Sequence, residues 1–150
     1  MSAADSDEII AYWLLPAEPA RSFFVSLIKE LARRFDAPIF APHLTIYAAP
    51  RDNSDPDEIL ARVISKSETF KLLISGAQYS EEFTKTIFVQ LEANDHLSDL
   101  SRGFSREAQP HHNYRLNPHL SLIYKTLPEA TKKEIAASME IPFSEIIRSR

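Results

Sequence analysis

The sequence predicts an α+β domain of bilobal build, in which one strand–helix unit is written twice, related by a pseudo-twofold, around a central cleft. Three observations carry that prediction. The tetrapeptides PHLT (Pro42 to Thr45) and PHLS (Pro118 to Ser121) stand one in each half. Each follows a proline-containing connector and precedes apolar β-prone residues, a proline-marked helix start and a further strand. Between Pro19 and Phe35 the apolar residues Phe24, Leu27, Ile28, Leu31 and Phe35 recur at helical spacing, whereas Ile87, Val89 and Leu91 alternate as a half-buried strand does. No low-complexity linker separates the halves, so residues 1–150 read as a single bilobal domain.

Taken in order, IIAYWLL (Ile9 to Leu15) reads as a short buried strand closed by Pro16. The helix from about Pro19 to Phe35 turns Lys29, Glu30, Arg33 and Arg34 to the opposite face. Residues 36 to 42 hold Pro38 and Pro42 and must be extended or turning. His43 to Ala49 is β-prone. Asp55, Pro56 and Glu58 then supply a cap, a first-turn proline and a first-turn acid for a helix buried through Ile59, Leu60, Val63 and Ile64.

Two strands follow, about Phe70 to Tyr79 and Thr84 to Ala93, joined by a polar SEEF connection. Asn94 or Asp95 caps a helix carrying Leu97, Leu100 and Phe104. A polar connector, roughly Gln109 to Asn117, leads to the β-prone run His119 to Lys125. Pro128 opens a last helix with Ile135, Ala136 and Met139 inward, and Ile141 to about Arg148 reads as a closing strand.

Composition limits the function. Hydrophobic residues make up 44% and charged residues 25%, the balance of a water-soluble globular chain. No apolar run approaches the roughly 20 residues of a membrane span. The acidic start MSAADSDEII lacks the basic and apolar regions of a secretory signal. With no cysteine, disulfide and thiolate chemistry are excluded, and a cytoplasmic location is expected. The net charge of −4 argues against a grip on long nucleic acid, which phosphate neutralisation drives. Only two glycines occur, Gly76 and Gly103, so a glycine-rich phosphate loop is excluded and side chains must hold any phosphate.

Residues i and i+2 of a strand share a face, so His43 points with Thr45 and His119 with Ser121, about 6–7 Å apart along each strand. Leu44 and Leu120 pack beneath. If the two strands lie side by side, two imidazoles meet across a cleft flanked by two hydroxyls. That set suits hydrolysis of a phosphodiester: a neutral histidine takes a proton from water and a protonated one gives a proton to the leaving oxygen. Histidine populates both forms near neutrality, and the hydroxyls donate to the non-bridging oxygens. A lone histidine at a strand start is more often structural; the weight rests on the pair.

Other chemistries are less well supplied. His96, His111 and His112 are present, but no HxxxH or HExxH spacing occurs and no carboxylate stands at ligand spacing to either motif histidine. No metal and no cofactor are expected. Neither Thr45 nor Ser121 sits in the GxSxG elbow of a serine hydrolase.

At these residues the sequence resembles the two-histidine phosphoesterase superfamily, whose signature is a pair of H-x-(T/S)-x tetrapeptides with apolar x. Here they are HLTI (His43 to Ile46) and HLSL (His119 to Leu122), both complete. The N-terminal YWLLPAEP, the long helix before PHLT and the HLSLIY ending at Tyr124 make it look closest to the plant and fungal cyclic nucleotide phosphodiesterase branch. The resemblance implies two antiparallel sheets with flanking helices. It implies metal-independent opening of a nucleoside 2′,3′-cyclic phosphate or of ADP-ribose 1″,2″-cyclic phosphate. His119 would be the base, His43 the acid, and Thr45 and Ser121 the phosphate ligands.

In that branch an aromatic residue three positions after the second hydroxyl lines the site, here Tyr124. Strict alternation puts Tyr124 on the wrong face, so a bulge or strand end must intervene; Tyr47, on the His43 face by parity, is the rival. Tyr12 or Trp13 could stack a base, although a Trp in an apolar strand is more often core. Arg115 or Lys125 could add positive charge. The partner expected is a small cyclic-phosphate nucleotide, taken by a monomer with no membrane involved. The alternatives are processing of short RNA ends, as a 2′,5′-phosphodiesterase or RNA ligase, and a module that binds nucleotides or RNA ends without turnover.

Overall fold

Capping side chains and prolines set where the elements begin. The computed structural model describes residues 8–64, 71–107 and 114–147. Its strands are β1 (Ile9–Leu14), β2 (Leu44–Pro50), β3 (Lys71–Tyr79), β4 (Ile87–Leu91), β5 (His119–Ile123) and β6 (Glu145–Ile147). Its helices are α1 (Ala20–Phe35), α2 (Pro56–Ile64), α3 (Asp95–Glu107) and α4 (Glu129–Ser138). Asp55 starts α2, its carboxylate accepting from the Asp57 amide at 3.0 Å. Of the two candidates for the α3 cap it is Asn94 that serves, accepting from the Leu97 amide at 2.9 Å. Ile135 of α4 is buried, whereas Met139 follows the helix end and still packs against the core. The ends of three expected elements, Phe70, Gln109 and Arg148, fall outside the described residues, as do His111 and His112.

The architecture is α+β, but the two sheets expected from the resemblance are joined. The six strands run β1-β2-β5-β4-β3-β6, all pairs antiparallel. The junction is between β2 and β5, which meet with Leu44 opposite Leu120. α1 packs against β5, α3 against β2 and α4 against β3. Phe24, Ile28 and Leu31 of α1 and Phe104 of α3 are buried with Leu44, Ile46, Leu120 and Leu122. Each such side chain removed from water contributes about 1.5–3 kcal/mol, so this layer fixes where β2 and β5 can lie. No helix among the described residues is long and apolar enough to cross a membrane.

Two local departures from regular strand matter for the site. In β2 the partner of Tyr12 is Tyr47 but the partner of Trp13 is Thr45, so Ile46 is an extra residue, a β-bulge. The bulge reverses parity: Leu44 and Ile46 are buried before it, Tyr47 and Ala49 after it. The Ile46 carbonyl is taken up by the buried Ser101 hydroxyl of α3, which donates to it at 2.7 Å.

The second departure shortens the strand expected from Thr84. Phe83–Lys85 form a short 3-10 helix, and β4 begins only at Ile87. The Lys85 amide donates to the Glu82 carbonyl and the Thr86 hydroxyl to the Phe83 carbonyl, diverting groups that a ladder would use.

Candidate active site

The two repeated motifs lie on neighbouring antiparallel strands. Leu44 faces Leu120, and continuing that register sets His43 against Ser121 and Thr45 against His119. The leucines are buried, while His43, Thr45 and His119 are half-exposed on the other face of the sheet. His43 and His119 are thus diagonal neighbours, with about 7–8 Å between their backbone positions. That span suits two long side chains closing on one small group.

Each imidazole is held in the same way. His43 Nδ1 is 2.8 Å from the Ala41 carbonyl, and His119 Nδ1 is 2.8 Å from the Asn117 carbonyl. A carbonyl only accepts, so each Nδ1 carries the hydrogen, and each Nε2 is the ring nitrogen left to exchange a proton. The proline in A-P-H and N-P-H makes this local. It disfavours helix at the residue before it, so the carbonyl two positions before each histidine lies in an extended approach to the strand.

A model of the family described as cyclic phosphodiesterase-like protein matches residues 9–141. The chain belongs to the cyclic phosphodiesterase-like family. A curated relative, "Cyclic phosphodiesterase" of Arabidopsis thaliana, is 21% identical over 127 residues, covering 84% of this chain and 70% of the relative.

Around the histidine pair of this family member the environment is unequal. Trp13 stands opposite Thr45, is 52% exposed, and stacks on His43 with ring centroids 3.8 Å apart. It is an exposed ring on the site face rather than a core tryptophan. Phe40 meets His43 edge-on at 6.2 Å, and Phe88 meets His119 edge-on at 5.7 Å. Lys85 holds its ammonium 4.7 Å from the Phe88 ring centroid. Burial pushes the His43 imidazole below its ordinary range, opposed by the Ala41 carbonyl. Burial does the same to His119; the Asn117 carbonyl and Glu82 oppose it, while the positive charges of Lys85 and His43 add to it.

His119 has a further brace. Gln90 stands opposite it on β4, and its Nε2 amide lies 3.1 Å from the Asn117 side-chain oxygen and 2.9 Å from the Pro118 carbonyl. The same nitrogen is 3.1 Å from the Leu91 carbonyl. The connector whose carbonyl orients the imidazole is therefore pinned to the sheet.

The hydroxyls differ from the symmetric expectation. Ser121 is 5% exposed and donates to the Thr84 carbonyl at 2.6 Å, so its hydrogen is already engaged. No hydrogen bond engages the half-exposed Thr45 hydroxyl among the described residues. Tyr124 follows the end of β5, and that strand end frees it from alternation. Burial pushes its phenol above the ordinary range, and the neighbouring Ser121 hydroxyl acts in the opposite sense.

Tyr47 does not join it. The Ile46 bulge turns Tyr47 into the core, where it is 3% exposed beside Phe104. Tyr12 is likewise buried, stacked on Phe104 at 4.1 Å, on the face away from the histidines. Arg115 is exposed on the connector before β5, and Lys125 donates to the Asp36 carbonyl at 3.3 Å; neither contacts the histidine pair among the described residues. Lys85 and Gln90 are the functional candidates that sequence reasoning missed, one inside a polar turn and the other an ordinary outward position of a strand. Among the described residues no three metal-ligating side chains gather.

Proposed function

We propose that this cyclic phosphodiesterase-like chain hydrolyses a small nucleoside 2′,3′-cyclic phosphate or ADP-ribose 1″,2″-cyclic phosphate without a metal, using His119 as general base and His43 as general acid. The observation that carries the reading is the matched pair of Nδ1–H bonds to the Ala41 and Asn117 carbonyls, which leaves two Nε2 atoms on one sheet face.

In the reaction, neutral His119 takes a proton from water as the oxygen attacks phosphorus. Protonated His43 gives its proton to the departing ribose oxygen, and a phosphomonoester results. One proton enters His119 and one leaves His43, so exchange with solvent resets the pair. The surroundings support this division of roles. Lys85 disfavours a proton on His119, and the electron-rich Trp13 face favours one on His43. Thr45 donates to a non-bridging oxygen. Ser121, committed to the Thr84 carbonyl, acts through Tyr124 and the local shape rather than as a first donor. The bilobal, duplicated organisation around a cleft belongs to the same reading: each half contributes one strand, one histidine and one hydroxyl.

The test is a screen of the 2′,3′-cyclic mononucleotides and ADP-ribose 1″,2″-cyclic phosphate, with and without EDTA, identifying products by phosphorus NMR. The reading expects a phosphomonoester and no effect of EDTA. No product from any of them, or activity lost on chelation and restored by a metal, would contradict it.

A further inference from the structure

The turn between β3 and β4 is built more rigidly than a connection needs to be. The Lys132 ammonium, buried on α4, donates to the Ser80 carbonyl at 2.7 Å. The Ser80 hydroxyl donates to the Lys85 carbonyl at 2.5 Å, and its amide donates to the Thr86 carbonyl at 3.2 Å. The Thr86 hydroxyl, buried, donates to the Phe83 carbonyl at 2.8 Å. At the centre of the turn the Thr84 carbonyl accepts from Ser121, which ties the turn directly to the second motif.

This frame holds an aromatic ring out in water. Phe83 is 54% exposed, yet its ring stacks against Tyr124 with centroids 6.1 Å apart, and Tyr124 in turn lies 4.3 Å from Phe40. Leaving much of a phenylalanine unburied forgoes hydrophobic stabilisation that the chain takes elsewhere. A pre-ordered aromatic face loses little freedom on binding, which is what a stacking platform requires. Trp13, across the site, already has a ring face occupied by His43.

We infer that Phe83, carried on the braced Ser80–Thr86 turn, is the platform on which the base of a nucleotide substrate stacks, and so a specificity-determining residue of this site. The inference rests on the cyclic-phosphate reading above and adds the position of the base. A substrate with a flat heterocycle gains from it; a bare ribose cyclic phosphate does not.

The experiment compares kcat/KM for a nucleoside 2′,3′-cyclic phosphate with that for base-free ribose 2′,3′-cyclic phosphate. It uses the full chain and the variants Phe83→Ala, Phe83→Trp and Trp13→Ala. Stacking of one base is expected to give the wild type a preference of about fivefold to a hundredfold. Phe83→Ala should collapse that ratio through KM, and Phe83→Trp should keep it. The side chain is exposed, so both variants should fold, and circular dichroism checks that they do. A ratio unchanged in Phe83→Ala, or abolished in Trp13→Ala while Phe83→Ala keeps it, overturns the inference. If the wild type turns over neither compound, the cyclic-phosphate reading itself has failed.

Discussion

Leu44 lies opposite Leu120 in an antiparallel register, and this pair sets two histidines diagonally on one face of the sheet. Neither leucine touches chemistry. Both are buried, and their burial fixes the level at which β2 and β5 meet. A slip of one residue in either strand would carry its histidine to the core face, so the register is the structural basis of the site.

The pH profile follows from the surroundings of the two imidazoles. Burial is the largest influence on each and favours the neutral form, so both titrate below the ordinary value of about 6.5. In the proposed mechanism the productive free enzyme carries one proton on the pair, lost above the higher apparent value and doubled below the lower one. The plot of kcat/KM against pH should therefore be a bell with its maximum on the acid side of 6.5. A maximum above pH 7 would contradict the assignment of its limbs to these histidines.

Lys85 lowers the proton affinity of His119, after burial, by placing a positive charge near it. Replacing Lys85 with Met removes that charge while keeping most of the stem. The limb of the bell that belongs to His119 should move to higher pH, with the other limb nearly fixed. Adding salt should shrink the difference between wild type and variant. Identical profiles at low salt would remove Lys85 from the site's electrostatics.

Gln90 pins the Asn117–Pro118 connector and through it the His119 ring. In Gln90→Leu the Asn117 carbonyl is free to drift and the imidazole with it. Misplacement of a catalytic group by about 1 Å can cost about a hundredfold. The variant should lose rate chiefly in kcat, with KM little changed. A loss confined to thermal stability, with kcat intact at low temperature, would make Gln90 a structural residue only.

Ser101 donates to the carbonyl of Ile46, the extra residue of the bulge. Ser101→Ala leaves that buried carbonyl unpaired, at a cost of about 1–3 kcal/mol. Urea denaturation should show a lower midpoint at an unchanged slope, whereas a change below about 0.5 kcal/mol would mean that another donor takes over.

Much of this was legible in the chain. The paired HLTI and HLSL, the alternation that puts histidine and hydroxyl on one face, the cap at Asp55 and the choice of Asn94 or Asp95 for the next helix act over a few residues, so short-range rules suffice. The rest depends on distant groups. Nothing in LTIYAAP marks Ile46 as an extra residue, because the bulge is accommodated by Ser101 of a helix far along the chain; parity therefore misplaced Tyr47. The turn around Phe83 reads as a polar connector, since its shape comes from Ser80, Thr86 and Ser121 bonding to backbone. Joining of the sheets at Leu44 and Leu120 is a long-range pairing that no local pattern announces.

The most direct test of the central claim is the rate of cyclic-phosphate opening in His43→Ala and His119→Ala, measured with a nucleoside 2′,3′-cyclic phosphate and followed by phosphorus NMR. Each variant is expected to keep its fold and thermal transition while losing about 10²–10⁴-fold in kcat, the range for a lost general acid or base. A variant that folds and turns over at the wild-type rate would show that its histidine is not part of the reaction.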